Sequence, residues 1–357
     1  MGALIRSVGG GVLLLLVLEL VLRLLPVSSA TRTGYHIDPL ILTYPPGHQW
    51  TVATGWDLRN AHRLQSNNLG FVSRIDYVRD EQAIGLVGDS YVEASMLDEA
   101  DRPAAQLAAA LGGRRPVYAF GGPGSALLDY AERIRLAHER LGVRDFVVML
   151  ESGDVRQSLC GSGNIHGPCL DRATLQPRTE LQPPPSPAKR VLRHSALAQY
   201  LFSQLKLDPS RLLQQAFASA NPEQAAAQAA AAEAPATVAP ETEAQAAARE
   251  TSVRAVTDAF FARIEPLKLN RLVIVASGRR SASALAAGDA SLTAIHRERI
   301  AFQQLAAGRG AVVVDTEAIY RQHWAGSTLS LAVGPYDAHL NALGVGLLMR
   351  AAARELP

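Results

Sequence analysis

Five short runs of aliphatic, β-branched and aromatic residues, spaced by helix-like stretches, fix the fold class of this 357-residue chain. They are Ala83 to Val87, Val117 to Phe120, Asp145 to Leu150, Arg271 to Ala276 and Ala311 to Val314. Each is too short for a buried helix and is almost continuously apolar, as a strand covered on both faces has to be. Helical spacing fills the intervals, at about Pro103 to Leu111, Ser125 to Leu141, Ser252 to Ile264 and Asp289 to Ala306, and again from Asn341 to Ala353. This alternation predicts an α/β fold, a flavodoxin-like three-layer α/β/α sandwich around a parallel sheet of about five strands. Reactive groups in such a sheet gather beyond the carboxyl ends of its strands.

Hydrophobic residues make up 48% of the sequence, enough for a sizeable core. The 35 basic and 33 acidic side chains are mixed along the chain, leaving a net charge of +2 and no basic stripe. Nucleic-acid binding is therefore not expected.

Ser7 to Leu18 carry no charge, and the apolar run resumes through Leu20, Val21, Leu22, Leu24 and Leu25, past Glu19 and Arg23. As a helix this segment is roughly 28 Å long, enough to span a bilayer. Glu19 and Arg23 stand four residues apart and can pair on one face. We read an uncleaved membrane anchor. A cleaved signal peptide is the competing reading, with Arg6 as its basic start and Ser28-Ser29-Ala30 as its small residues. Arg6 before the segment balances Arg23 and Arg32 near its end, so orientation stays open. Either reading exports the remainder.

Residues 1–30 thus form the anchor or signal, 31–80 a cap without clear periodicity, and 81–170 and 251–357 the two parts of the sheet domain. Between those parts, 171–250 is a low-complexity insertion. It holds a Pro-rich stretch at Gln182 to Pro187, an amphipathic helix at Ser195 to Leu207, and an Ala/Gln/Glu-rich tract from about Ala216 to Ala248. The only cysteines, Cys160 and Cys169, suit a local disulfide contributing ~2 to 3 kcal/mol in an oxidising compartment. A pair of free thiols is the alternative. His36, His48, His62 and His166 lack metal-binding spacing, and no metal or organic cofactor is expected.

The first strand runs straight into Gly88-Asp89-Ser90, which sets a serine hydroxyl at the carboxyl edge of the sheet. Such a hydroxyl needs a base to become a nucleophile, and the base needs a carboxylate to orient it. Asp337 and His339, on the loop before the last helix, supply that pair. Donors for a developing oxyanion are the amides of Ser90 and of Gly124, the latter in Gly121-Gly122-Pro123-Gly124 after the second strand. Glu151-Ser152-Gly153-Asp154 brings polar groups to the end of the third strand. The plain structural alternatives are capped turns and helix starts, which use the same residue types.

These blocks resemble the SGNH/GDSL hydrolases in order and spacing. Gly88-Asp89-Ser90 is similar to the first block of that family, Pro123-Gly124 to the second, Gly153-Asp154 to the third, and Asp337-Ala338-His339-Leu340-Asn341 to the last. Asn67-Asn68-Leu69-Gly70-Phe71 and the apolar leader resemble membrane-anchored bacterial members, some of them similar to alginate-type O-acetyltransferases. The resemblance implies the SGNH hydrolase fold behind an inner-membrane helix, with a periplasmic catalytic domain. It implies a catalytic Ser90, Asp337 and His339, and an oxyanion hole of Ser90, Gly124 and Asp154. The implied activity is a serine esterase or O-acyltransferase working on acetyl esters of envelope or exopolysaccharide glycans, beside polysaccharide assembly proteins. One residue departs: the family has Asn where this chain has Asp154. An ionised carboxylate there repels the oxyanion, whereas a protonated one donates as the amide does. The alternative is a catalytically silent envelope protein that binds glycan or a partner.

Overall fold

A computed structural model describes residues 2–58, 60–162, 167–207, 241–334 and 337–357. His166, Tyr336 and most of the Ala/Gln/Glu-rich tract, up to residue 240, lie outside the described residues. By internal compactness the chain divides into two units, 1–30 with 50–63 and 185–240, and 31–49 with 64–184 and 241–357.

The second unit is built on a five-stranded parallel sheet of β1 (Ile84–Gly88), β2 (Val117–Gly121), β3 (Asp145–Leu150), β4 (Arg271–Ala276) and β5 (Val312–Val314). Their order across the sheet is β5-β4-β3-β1-β2, with Ile84 in register with both Val117 and Asp145. The chain leaves β1 toward β2 and returns on the other side as β3, so a crevice opens between the carboxyl ends of β1 and β3.

Alternate strand residues enter two separate cores. Phe146, Val148 and Leu150 of β3 join one with Phe120, Phe260 and Phe302. Val147 and Met149 join the other with Leu107, Leu348 and Met349. This two-sided burial is why the strands read as unbroken apolar runs. The first face is covered by α2 (Leu127–Leu141), α3 (Glu243–Ile264) and α4 (Ala294–Ala307), and the second by α1 (Pro103–Ala110) and α6 (Ala342–Arg354).

Several elements differ from the sequence expectation. The helix α3 starts at Glu243, not Ser252, because Thr242 and Gln245 form a capping box and the Ala/Gln/Glu residues after it are good helix formers. A further helix, α5 (Thr316–Gly326), buries Tyr320 under an otherwise polar sequence. The cap segment contains hairpins, one of Gly34–Asp38 with Ile41–Thr43 and one of Gln49–Thr54 with Asn60–Gln65. Pro168–Leu170 and Pro177–Thr179 pair as another.

In the first unit, Gly2–Leu24 is one helix, and its stretch Arg6–Leu24 is long and apolar enough to cross a membrane. The amphipathic helix expected at Ser195 to Leu207 is instead one α-turn, Ala196–Ala198, continued by a π-helical segment, Gln199–Gln204.

Candidate active site

Ser90 opens a single helical turn, Ser90–Glu93, at the carboxyl end of β1. Asp89 caps that turn, its Oδ1 accepting from the Tyr91 amide at 2.8 Å. The turn folds back tightly because two strand ends are glycine. A Cβ on Gly88 would lie 2.6 Å from Val92, and one on Gly121 would lie 2.4 Å from the Glu93 nitrogen. Arg133, buried under the turn, donates to the carbonyls of Gly88 (2.7 Å) and Phe120 (3.2 Å) and so ties the ends of β1 and β2 together.

The other half arrives from 249 residues downstream. Asp337 and His339 do not sit in a loop but on a short strand, Asp337–Leu340, paired antiparallel with Ala332–Gly334. Asn341 fixes its exit. The Asn341 Oδ1 accepts from the Gly344 amide at 3.0 Å, capping α6, while Nδ2 donates to the Ser330 carbonyl at 2.7 Å. With the strand so held, His339 Nε2 is 2.9 Å from Ser90 Oγ. On the other side of the ring, Nδ1 is 2.6 Å from Asp337 Oδ1, which also accepts from the His339 amide at 2.9 Å. Asp337 is buried and the ring partly exposed. A carboxylate so placed selects the tautomer with its proton on Nδ1, leaving Nε2 free to take the serine proton.

Gly124 has a φ of +75° in the loop after β2, and that loop is joined to the nucleophile's turn by the Gly122 amide, 3.3 Å from the Gly88 carbonyl. Asp154 begins the short helix after β3 and is completely buried. Its Oδ2 accepts from the Glu151 amide and from the Tyr130 hydroxyl, both at 2.8 Å, while Oδ1 has no hydrogen-bond partner among the described residues. Burial holds the Asp154 carboxyl well above the usual carboxylate range, and the nearby charge of Asp89 adds to the effect. Burial likewise raises Asp89, Glu151 and Glu93, the last to about 7.

Cys160 and Cys169 are joined by a disulfide with their Cα atoms 5.2 Å apart.

No protein-family model and no curated protein matches the chain. Among solved structures it is similar to an α/β hydrolase from the metagenome of Lake Arreo, Spain, at 13% identity and a TM-score of 0.40, covering 78% of this chain and 96% of the other. A carbohydrate acetylesterase family member from Sinorhizobium meliloti matches at 16% identity and a TM-score of 0.34, covering 76% and 96%. An acetylxylan esterase from Geobacillus stearothermophilus matches at 13% identity and a TM-score of 0.39, covering 78% and 95%. Likenesses this distant decide neither chemistry nor substrate.

Sequence reasoning missed two groups beside the histidine. Tyr91 lays its ring against that of His339, the centroids 4.7 Å apart. Arg280, just beyond β4, bridges the two segments that carry the relay: Nη1 donates to the Ala338 carbonyl at 2.8 Å and Nη2 to the Tyr91 hydroxyl at 3.0 Å. Its own backbone is held by Trp324, whose Nε1 donates to the Arg280 carbonyl at 2.7 Å. Only its position four residues past the end of β4 hinted at a place on this rim. Tyr44 was also unmarked. Its hydroxyl donates to Glu93 Oε2 at 3.0 Å and pins the far end of the nucleophile's turn.

Proposed function

We propose that the chain is a serine esterase or O-acyltransferase in which Ser90 is the nucleophile, His339 the general base and then acid, and Asp337 the group that orients it. The observation that carries this reading is the continuous relay Ser90 Oγ to His339 Nε2 to Asp337 Oδ1, at 2.9 and 2.6 Å, on the rim where a doubly wound sheet exposes its chemistry. Ser90 Oγ attacks the ester carbonyl as its proton passes to His339. The tetrahedral oxyanion collapses to acyl-Ser90 while His339 returns the proton to the departing alcohol. A second hydroxyl, from water or a sugar, then takes the acyl group by the reverse sequence.

The oxyanion donors in this proposal are the Ser90 and Gly124 amides with Asp154 as the third. Asp154 serves as a neutral acid. Its Oδ2 already accepts two hydrogen bonds, so the proton is assigned to Oδ1, a buried atom with no other partner among the described residues, and donation to the substrate needs that atom uncovered.

The acetyl group, the envelope or exopolysaccharide glycan and the periplasmic setting follow from the sequence resemblance, with the apolar helix of residues 6–24 as anchor. Release of acetate from an aryl acetate, measured with and without glycan acceptors, tests the proposal. Turnover lost in Ser90→Ala supports it, and acceptor-dependent transfer selects acyltransferase over hydrolase. No turnover by the wild type, with none gained in Asp154→Asn, leaves a silent glycan-binding protein.

A further inference from the structure

At the end of the apolar helix, the first unit contains a cavity of about 870 Å³. Its wall includes four basic side chains, Arg23, Arg63, Arg193 and His194, and no acidic one. The cavity is framed by the last turn of the helix, the strand residues Ala61 and Arg63, and the segment around Ser195. Glu19 builds one side of this frame without contributing charge to the cavity. Its carboxylate pairs with Arg23 at 2.8 Å and accepts from the Ser195 hydroxyl at 2.8 Å and the Ala196 and Leu197 amides at 3.0 and 2.9 Å. Arg23 in turn donates to the His194 carbonyl at 3.2 Å. That accounts for Glu19 and Arg23 together.

Arg63, Arg193 and His194 remain, and two of them are guanidiniums. Neither guanidinium has an ion pair or side-chain hydrogen bond among the described residues, and the Nε of Arg193 is buried without a partner. Two guanidiniums on one cavity, neither of them neutralised by an acidic partner among the described residues, suit phosphate better than any uncharged group.

Depth identifies the source of the phosphate. Residues such as Leu13, Leu16 and Leu20 of the helix are more than half exposed and Leu24 is 88% exposed, so none of the other described residues covers this surface. A helix with such a surface lies in hydrocarbon, and its end reaches the headgroup layer. The cavity opens at that end and is large enough for a headgroup with its glycerol.

We propose that the Arg63 and Arg193 cavity is a binding site for the headgroup of an anionic phospholipid. The site rests on the helix being retained and is independent of the chemistry at Ser90.

The test uses the full chain in nanodiscs of phosphatidylcholine with increasing phosphatidylglycerol, with retained lipid counted by native mass spectrometry. Wild type should keep phosphatidylglycerol in preference to phosphatidylcholine. Arg63→Gln and Arg193→Gln should each weaken retention about tenfold, the loss of one charge-assisted pair. Lys189→Gln removes a cation of the same segment outside the cavity and should change nothing. Arg193→Lys keeps the charge, and partial retention there, with unchanged circular dichroism, separates lost binding from lost folding. Three results overturn the proposal: equal retention of both lipids, an equal effect of Lys189→Gln, and a mature chain whose mass begins after Ala30. Saturation of the detergent-solubilised protein by inorganic phosphate, with no preference for the lipid, would assign the cavity to free phosphate instead.

Discussion

Replacing Glu93 by glutamine should remove much of the pH dependence that the nucleophile's buried turn imposes on folding. Glu93 ends that turn, is 4% exposed, and has its carboxyl pushed up from 4.5 to about 7 by burial. The folded state therefore holds its proton to higher pH than the unfolded chain. Below pH 4.5 both states are protonated and nothing is lost. As pH rises toward 7 the unfolded chain ionises first, and stability falls by about 3 kcal/mol, levelling off above the folded-state value. Asp129, raised to about 6 by burial, and Asp89 act in the same direction. Glutamine keeps an acceptor for the Tyr44 hydroxyl and cannot ionise. Hydrogen exchange of the slowest β1 amides, followed by mass spectrometry at pH 4.5 and 7.5, reads the opening free energy of this sheet. Wild type should lose stability between the two pH values, and Glu93→Gln should lose about 3 kcal/mol less. An identical pH slope in both proteins would refute the argument, as would a variant equally weakened at both pH values.

Other perturbations address the relay directly. Arg280→Met removes the bonds to the Ala338 carbonyl and the Tyr91 hydroxyl, and should lower kcat by roughly ten- to a hundredfold with KM little changed, since it loosens His339 rather than a substrate contact; a change confined to KM would contradict this. Asp154→Asn should match or exceed wild type, because the amide donates the hydrogen bond that a neutral Asp154 supplies. A tenfold slower Asn variant at every pH would argue against the neutral acid. Reducing the Cys160–Cys169 disulfide, or replacing both residues by serine, should destabilise the chain by about 2–3 kcal/mol in urea unfolding and leave ester turnover per folded molecule unchanged.

Much of the sheet was legible because β1, β3 and β4 are buried on both faces, and a run such as Ile84 to Val87 admits few other structures. The glycine that ends β1, with the acid and serine after it, pointed to the turn because a strand must end there, and Asn341 signalled the start of α6. What stayed hidden lacks periodicity. The hairpins between Gly34 and Gln65 have strands of three to six residues with mixed burial. Arg280 acts through a backbone carbonyl and a tyrosine hydroxyl, contacts that residue type alone does not announce. Glu93 and Tyr44 are 49 residues apart, and only the folded chain makes them partners.

Covalent capture of the nucleophile tests the central claim most directly. A fluorophosphonate probe incubated with the full chain should add its mass to the peptide containing Ser90, more slowly in His339→Ala and not at all in Ser90→Ala. An unlabelled wild type, or equal labelling after Ser90→Ala, would contradict the assignment of this rim as a serine acyl-transfer site.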